Sequence, residues 1–194
     1  STNNYKPKRI HSISNTSIVS VAAGAHHVVA LTSEGVVFCW GHGKSGRLGV
    51  GDSRVRMIPT PVTGSLTHRK VRSIACSDVH TLACSVEGEV YAWGSNRWGQ
   101  LGTSLTISTK ASPRRVDSLR KSTIVDVACS VKHSVALCAG GGVYCWGSNE
   151  NGQLGQIILT GGNVVNHNPE IVSKLTANSG NSMRVYAIDA SEER

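Results

Sequence analysis

Three histidines recur at a fixed spacing in this chain and are the first candidates for chemistry. They are His27, His80 and His133, each 53 residues from the next. Histidine is a common metal ligand, so three histidines in register could form a metal centre. A residue that returns once in every repeat is better explained as a buried imidazole that hydrogen-bonds between strands. We therefore predict a structural role for all three histidines and no metal site.

The tryptophans and glycines share the same period. Trp40, Trp93 and Trp146 each stand 13 residues after a histidine. A large aromatic side chain at a repeated position is typical of a core anchor, and ligand stacking is the weaker alternative. A glycine-rich segment follows each tryptophan, and it could cradle a phosphate, but it opens no helix and lacks a Lys-Ser/Thr ending, so we predict tight turns. The first and last glycines of these segments are Gly41 and Gly49, Gly94 and Gly102, and Gly147 and Gly155.

No other arrangement of side chains predicts catalysis. Acidic residues are few, with 12 Asp and Glu, and no serine or cysteine has a base at a motif spacing. The six cysteines form no Cys-x-x-Cys pair, and Cys76 and Cys129 share one repeat position. We therefore predict small buried apolar positions rather than zinc or disulfides, no cofactor and no enzyme activity. Free cysteines also favour a reducing, intracellular compartment, either the cytoplasm or the nucleus.

Two groups of residues are candidates for binding a partner. Trp98 lies in a predicted surface turn beside Arg97, where the equivalent positions hold Ser45 and Asn151. An exposed Trp next to Arg has the composition of an interface hot spot. The densest basic stretch would suit an acidic protein surface, with solvated loop charges as the favoured alternative. Its residues are Lys44, Arg47, Arg54 and Arg56.

The overall charge is a weaker guide to function. The formal net charge is +8, and pairs of basic residues are spread over every repeat. That distribution favours a generic solvated surface over a groove for nucleic acid. No apolar run approaches the roughly 18 residues that a membrane span requires, so we predict no span.

The elements that position these residues are short strands. Each unit begins with a β-branched run that ends in small residues, and the histidine, a second strand, a Gly-containing turn and the Trp-Gly strand follow. The three β-branched runs are 18–24, 71–77 and 124–130. About four short strands and no helix in each unit predict an all-β repeat protein, in which the units are propeller blades.

One 13-residue segment occurs in three similar copies. Residues 143–155 read Val-Tyr-Cys-Trp-Gly-Ser-Asn-Glu-Asn-Gly-Gln-Leu-Gly, residues 90–102 are nearly identical, and residues 37–49 are a looser copy. These repeats resemble those of the regulator of chromosome condensation family, and the resemblance extends from about residue 7 to residue 194. It implies a β-propeller of that type.

A weaker resemblance is to the short repeat array of the inhibitor of Bruton's tyrosine kinase family. It rests on the first copy, residues 39–52, which reads Cys-Trp-Gly-His-Gly-Lys-Ser-Gly-Arg-Leu-Gly-Val-Gly-Asp. Members of that family are similar to substrate adaptors of cullin-3 ubiquitin ligases. The resemblance therefore implies a ubiquitin-ligase adaptor.

Proline-containing segments suggest where the repeats begin. Because a Pro-x-x-apolar pattern recurs, we expect a tail or linker at 1–6, then complete repeats and a partial fourth. The complete repeats are 7–58, 59–112 and 113–168, and the partial one is 169–194. Three blades and part of a fourth leave a ring incomplete. Further repeats in a parent protein, a partner on the open edges, or a fragmentary chain would each account for this.

The function predicted from these features is a non-catalytic protein-protein interaction scaffold within a larger protein. One alternative, implied by the first resemblance, is guanine-nucleotide exchange on a Ran-like small GTPase. That activity requires a loop inserted from one propeller face, and the only irregular insertion is the stretch 156–168. The other alternative is chromatin or nucleic-acid binding, which predicts affinity that falls steeply with added salt.

Overall fold

The computed structural model describes residues 6–103, 108–155 and 165–172, and these residues form three four-stranded sheets. Blade 1 consists of β1 (Ile18–Ala23), β2 (His27–Thr32), β3 (Val37–Gly41) and β4 (Arg56–Pro61). Blade 2 consists of β5 (Val71–Cys76), β6 (His80–Ser85), β7 (Val90–Ser95) and β8 (Thr109–Arg115). Blade 3 consists of β9 (Ile124–Cys129), β10 (His133–Cys138), β11 (Val143–Ser148) and β12 (Val165–Ile171).

Helical structure in the described residues is limited to single 3-10 turns. They are His11–Ile13, Lys44–Gly46, Gly64–Leu66 and Asp117–Leu119. No helix in this part of the chain has the length and apolar character to cross a membrane.

Each blade is an antiparallel meander in which consecutive strands pair. The first strands lie side by side, since β5 contacts both β1 and β9. The prediction of an all-β propeller with three four-stranded blades is therefore confirmed, and the three blades do not close a ring within the described residues. The expected tail at 1–6, apart from Lys6, and most of the partial fourth repeat lie outside these residues.

The structure corrects the expected boundaries between repeats. The prolines do not open a blade; Pro59 lies in β4, Pro113 in β8 and Pro169 in β12, the last strand of each sheet. Proline suits this outer edge because its missing N–H removes no bond from the ladder. The blades therefore span 18–61, 71–115 and 124–171, and the expected start of a fourth repeat is the end of blade 3.

Two of the three hydrophobic clusters in the described residues lie between blades, and the third consists of blade 3 residues alone. Leu48 of blade 1 packs in one cluster with Trp93 of blade 2, and Leu101 of blade 2 packs in another with Trp146 of blade 3. The described residues leave uncovered the blade 1 face that is turned away from blade 2. Val21 there is 67% exposed, whereas Ile74 and Val127, its equivalents in blades 2 and 3, are 8% and 4% exposed.

The spacing of histidine and Trp-Gly follows from strand register. His27 faces Gly41, His80 faces Gly94 and His133 faces Gly147 across the second and third strands. The backbones approach so closely that a Cβ on Gly94 would lie 2.7 Å from the Cα of His80. This glycine also has φ +109°, which disfavours any other residue.

Candidate functional site

Two of the three predicted histidines, His27 and His80, form hydrogen-bonded joints between blades. His27 Nε2 lies 2.9 Å from Thr81 Oγ1, and His80 Nε2 lies 2.9 Å from Ser134 Oγ. The hydroxyl of Ser134 donates to the backbone oxygen of Gln100, 2.7 Å away. The hydroxyl oxygen is thus left to accept from the imidazole, which places the proton of His80 on Nε2. Each joint therefore links a histidine, a hydroxyl and a carbonyl across two blades.

Burial keeps these imidazoles neutral. It lowers the pKa of His80 to about 3, and the neighbouring His27 and His133 lower it further. Burial likewise lowers the pKa of His27 to about 4, with a further contribution from the positive charge of Arg47. A charged imidazole would lose its solvation in such a buried site, and the Asp78 charge, which raises the pKa of His27, offsets only part of that loss. The two histidines are therefore suited to a structural role at neutral pH.

The joints offer neither a nucleophile nor a metal site. Ser77 Oγ lies 2.9 Å from His80 Nδ1, which is the geometry of a nucleophile and its base. Both residues are buried, however, and an imidazole with a pKa of about 3 is a poor base at neutral pH. In the ranges that the structure describes, no three His, Cys, Asp or Glu side chains come close enough to hold a metal ion.

The cysteines pack as buried or half-buried thiols. All six are free, and Cys39, Cys84 and Cys145 are buried. Burial raises the pKa of Cys76 and of Cys84 to about 12. Because the thiolate is the reactive form, these side chains are poor nucleophiles at neutral pH.

Each fully covered tryptophan lies beneath the glycine turn of the preceding blade. A Cβ on Gly49 would lie 2.7 Å from Trp93 Nε1, and one on Gly102 would lie 2.9 Å from Trp146 Nε1. Both tryptophans are 0% exposed, and Trp146 Nε1 donates to Gln100 O at 2.8 Å. Trp40, on the uncovered face of blade 1, is only half-buried. Trp93 and Trp146 are therefore inter-blade anchors, whereas Trp40 has no neighbouring blade among the described residues.

The remaining candidates lie on one end of the blades, which we call the loop face. It consists of the connections between the first and second strands and between the third and fourth strands, which antiparallel pairing places at the same end. In the described residues these connections are 24–26 and 42–55, 77–79 and 96–103, and 130–132 and 149–155.

Trp98 is half-buried on the loop face rather than fully exposed, and two cations contact its ring. Arg97 Cζ lies 5.5 Å and Lys132 Nζ lies 5.0 Å from the ring centroid. Lys132 also forms an ion pair with Glu150, with 2.8 Å between Nζ and Oε2. Cation–π contacts of this length hold the ring in place. The structure therefore presents an ordered aromatic and charged cluster, which we call the Trp98 cluster: Trp98, Arg97, Lys132 and Glu150.

The basic stretch of blade 1 is not one surface. Arg54 and Arg56 both pair with Asp52, at 3.0 and 2.9 Å, and Arg56 holds the pKa of that carboxyl at about 2. Lys44 is exposed. Arg47 corrects the expectation of a solvent-accessible basic residue, because it is only 4% exposed and bonds the backbone oxygens of Lys44 and Asp78.

Sequence reasoning did not single out Gln100, although it organises the second joint. Its backbone oxygen accepts from Ser134 and Trp146, and its side chain donates to Val131 O at 3.2 Å and accepts from the Trp98 backbone N–H at 2.8 Å. Arg47 is the equivalent residue of blade 1. The sequence does contain a signal for this position, because two repeats read Gly-Gln-Leu-Gly whereas the first reads Gly-Arg-Leu-Gly.

Comparison with known families agrees with this architecture. The Regulator of chromosome condensation (RCC1) repeat matches residues 34–84, 87–137 and 140–191. A second description of the same repeat matches residues 18–47, 71–100 and 124–153. The chain belongs to the RCC1-repeat family. The resemblance predicted from the sequence is thereby confirmed.

The names of related RCC1-repeat proteins describe different functions. The chain is 36% identical over 149 residues to the ultraviolet-B receptor UVR8 of Arabidopsis thaliana, an alignment that covers 77% of this chain and 33% of UVR8. It is 35% identical over 158 residues to the human probable E3 ubiquitin-protein ligase HERC6, covering 81% of this chain and 15% of HERC6. The chain thus spans a third or less of these relatives.

Solved RCC1-type structures share the fold. Human WBSCR16 superimposes with a TM-score of 0.80 at 26% identity, over 89% of this chain and 43% of WBSCR16. Prp20p of Saccharomyces cerevisiae superimposes with a TM-score of 0.70 at 22% identity, over 82% of this chain and 40% of Prp20p. At that identity the second likeness supports the fold alone.

Proposed function

We propose that the chain is a non-catalytic protein-interaction scaffold that binds its partner through the loop face, centred on the Trp98 cluster. The observation that carries this proposal is a half-buried tryptophan in contact with two cations, at a position where the other blades have Ser45 and Asn151. The structural role of tryptophan in the repeat, which is to fill the core between blades, belongs to Trp93 and Trp146 and not to Trp98. Tryptophan and arginine together are the residues most enriched in interface hot spots.

Replacing Trp98 by alanine is expected to weaken partner binding without unfolding the chain. Hot-spot truncations cost about 2 kcal/mol or more, which is roughly a thirtyfold loss of affinity. The measurement is affinity capture of partners by the full-length protein, quantified by mass spectrometry, with thermal unfolding as the folding check. Asn151→Ala is the matched control, because Asn151 holds the same position in blade 3 and is exposed. Equal recovery of the same partners by both variants would contradict the proposal.

A finer proposal is that the bound protein is a substrate of ubiquitination. It is supported by the HERC6 and HERC4 relatives, which are named as probable E3 ubiquitin-protein ligases and are 35% identical to this chain. The likeness to the inhibitor of Bruton's tyrosine kinase family, drawn from the sequence, points to the same function. The scaffold would then select substrates while other domains or subunits carry the chemistry.

Ubiquitin-remnant profiling of cells tests the adaptor proposal. Proteins that depend on Trp98 for capture are expected to lose ubiquitination in the Trp98→Ala background and to retain it with Asn151→Ala. Cullin and BTB-type components among the captured proteins would give further support. Loss of capture with no change in ubiquitination would end the adaptor proposal and leave the scaffold proposal intact.

The two alternative functions receive less support. Nucleotide exchange rests on a likeness of fold, and residues 156–164 of the irregular insertion lie outside the described structure, while 165–168 belong to β12. Nucleic-acid binding requires a continuous basic surface. Several basic side chains are instead paired with carboxylates: Arg54, Arg56, Arg69, Arg115 and Lys132.

A further inference from the structure

A cavity of about 450 Å³ opens on the loop face, at the joint between blades 1 and 2. Its charged and titratable lining residues are His26, His42, Lys44, Arg47 and Asp78, and Val131 of blade 3 also lines it. We call it the joint pocket. Four of these five side chains are basic or can become so, which makes the pocket a candidate site for an anion.

Arg47 lines this pocket as a buried cation. Its guanidinium donates to two neutral acceptors, Lys44 O at 2.8 Å and Asp78 O. No carboxylate oxygen in the described residues lies within 4.0 Å of it, and the Asp78 carboxylate accepts instead from the Ala25 backbone N–H at 2.6 Å. Burial lowers the pKa of Arg47, and the charge of Asp78 opposes this shift only in part. A buried charge without a direct ion pair is costly, and a bound anion would reduce that cost.

The next joint shows that the fold does not require these charges. Gln100 holds the position of Arg47, and its amide donates to Val131 O just as Arg47 donates to the equivalent oxygen of Asp78. Ser95 holds the position of His42, and each accepts from the backbone N–H two residues later. Neutral side chains therefore make these structural hydrogen bonds in blade 2, whereas blade 1 uses basic side chains for the same bonds. The bonds alone do not explain the basic residues.

We propose that the joint pocket binds a carboxylate, supplied by an Asp or Glu side chain of the protein partner. Arg47 spends two of its five N–H donors on carbonyls and keeps the rest for a planar, two-oxygen acceptor. The Lys44 N–H bonds His42 Nδ1 at 3.1 Å, so neutral His42 carries its proton on Nε2 as a further donor. The Asp78 carboxylate in the same pocket disfavours a doubly charged phosphate more than a singly charged carboxylate.

This inference deepens the scaffold proposal, on which it rests for the nature of the partner, yet it can be tested without a partner. The probe is N-acetylglutamate, titrated into the isotope-labelled full chain at constant ionic strength with sodium chloride as the reference salt. The Arg47 Nε–H resonance, assigned from its loss in Arg47→Gln, and the His42 ring resonances report binding. Sodium phosphate is titrated in a parallel arm.

The wild-type chain is expected to show a saturable shift with N-acetylglutamate. Arg47→Gln introduces the residue that the other two repeats have at this position. It should weaken the binding of N-acetylglutamate about tenfold or more, measured from the shift of the His42 ring resonances. Arg54→Gln removes the same charge from a residue that is 82% exposed and should bind like wild type. His42→Ser, which imitates Ser95, provides a second variant if Arg47→Gln fails to fold, and it should also weaken binding, as the Arg47 resonance reports.

Three results would overturn the proposal. They are equal binding by the wild type and by a folded Arg47→Gln or His42→Ser chain, a shift that never saturates, and saturable binding of phosphate with none of N-acetylglutamate. If the joint pocket does not bind N-acetylglutamate while Trp98→Ala abolishes capture of partners, the scaffold proposal stands without the pocket. If the pocket binds N-acetylglutamate while Trp98→Ala leaves capture unchanged, the pocket proposal stands and the scaffold proposal fails.

Discussion

Trp93→Ala is expected to lower the free energy of unfolding by about 3–5 kcal/mol, the usual cost of truncating a fully buried tryptophan. Trp93 is 0% exposed and fills the space between blades 1 and 2 beneath Gly49. The cavity left behind would be bounded by the backbones of two blades, which can collapse only in part. Urea unfolding, followed by circular dichroism, measures the loss.

Trp40→Ala is the matched control, because Trp40 has the same position in the repeat but lies half-buried on the uncovered face of blade 1. Its loss should be smaller, about 1–2 kcal/mol. The comparison separates the stability that comes from packing between blades from the stability that comes from the tryptophan's position within its own sheet. Equal losses at positions 40 and 93 would show that the cores lie within blades, contrary to the packing described above.

Stability should fall steeply as the pH drops from 7 to 5. The folded pKa values of His27 and His80, about 4 and about 3, lie below the ordinary value near 6.5. The unfolded chain therefore binds more protons below pH 6.5, so the stability due to these two groups is complete above that pH and is lost as the pH falls toward 4 and 3. Each group contributes up to about 1.4 kcal/mol per pH unit below pH 6.5, or about 4 kcal/mol for the pair by pH 5.

Urea unfolding at pH 7, 6 and 5 tests the role of the buried histidines, above the range in which most carboxylates titrate. His80→Gln removes one titrating group while keeping a side chain that can donate to Ser134 and accept from Ser77. The pH dependence of this variant should be about half that of the wild type. A wild-type stability that is the same at pH 7 and pH 5 would mean that the imidazoles are not buried as neutral groups.

The repeat spacing was sufficient to predict the architecture, and the structure fully buries two of the three repeated tryptophans. Residues 53 positions apart must occupy equivalent places in a repeat protein, so Trp93 and Trp146 could be assigned to the core from spacing alone. The blade boundaries could not be obtained in this way. A period defines the length of a unit but not its starting point, and Pro59 satisfies an outer edge strand as well as the first residue of a new sheet.

The candidate site was predictable only in part. Trp98 stood out because it breaks the repeat, and the structure places it on the loop face in contact with Arg97 and Lys132. Lys132 comes from another blade, so no local pattern could join it to Trp98. Because arginine is seldom buried, the sequence predicts an exposed charge at Arg47. The structure buries this repeat position in both blades, with Arg47 4% and Gln100 0% exposed.

The most direct test of the loop face as the binding surface is hydrogen–deuterium exchange of the full-length protein, free and with its captured partner. The proposal predicts that protection on binding is confined to residues 95–101 and 130–132, which contain most of the Trp98 cluster, with residues 42–47 added if the joint pocket is occupied. Protection found instead on the outer strands β4, β8 and β12, with the loop face unchanged, would contradict it.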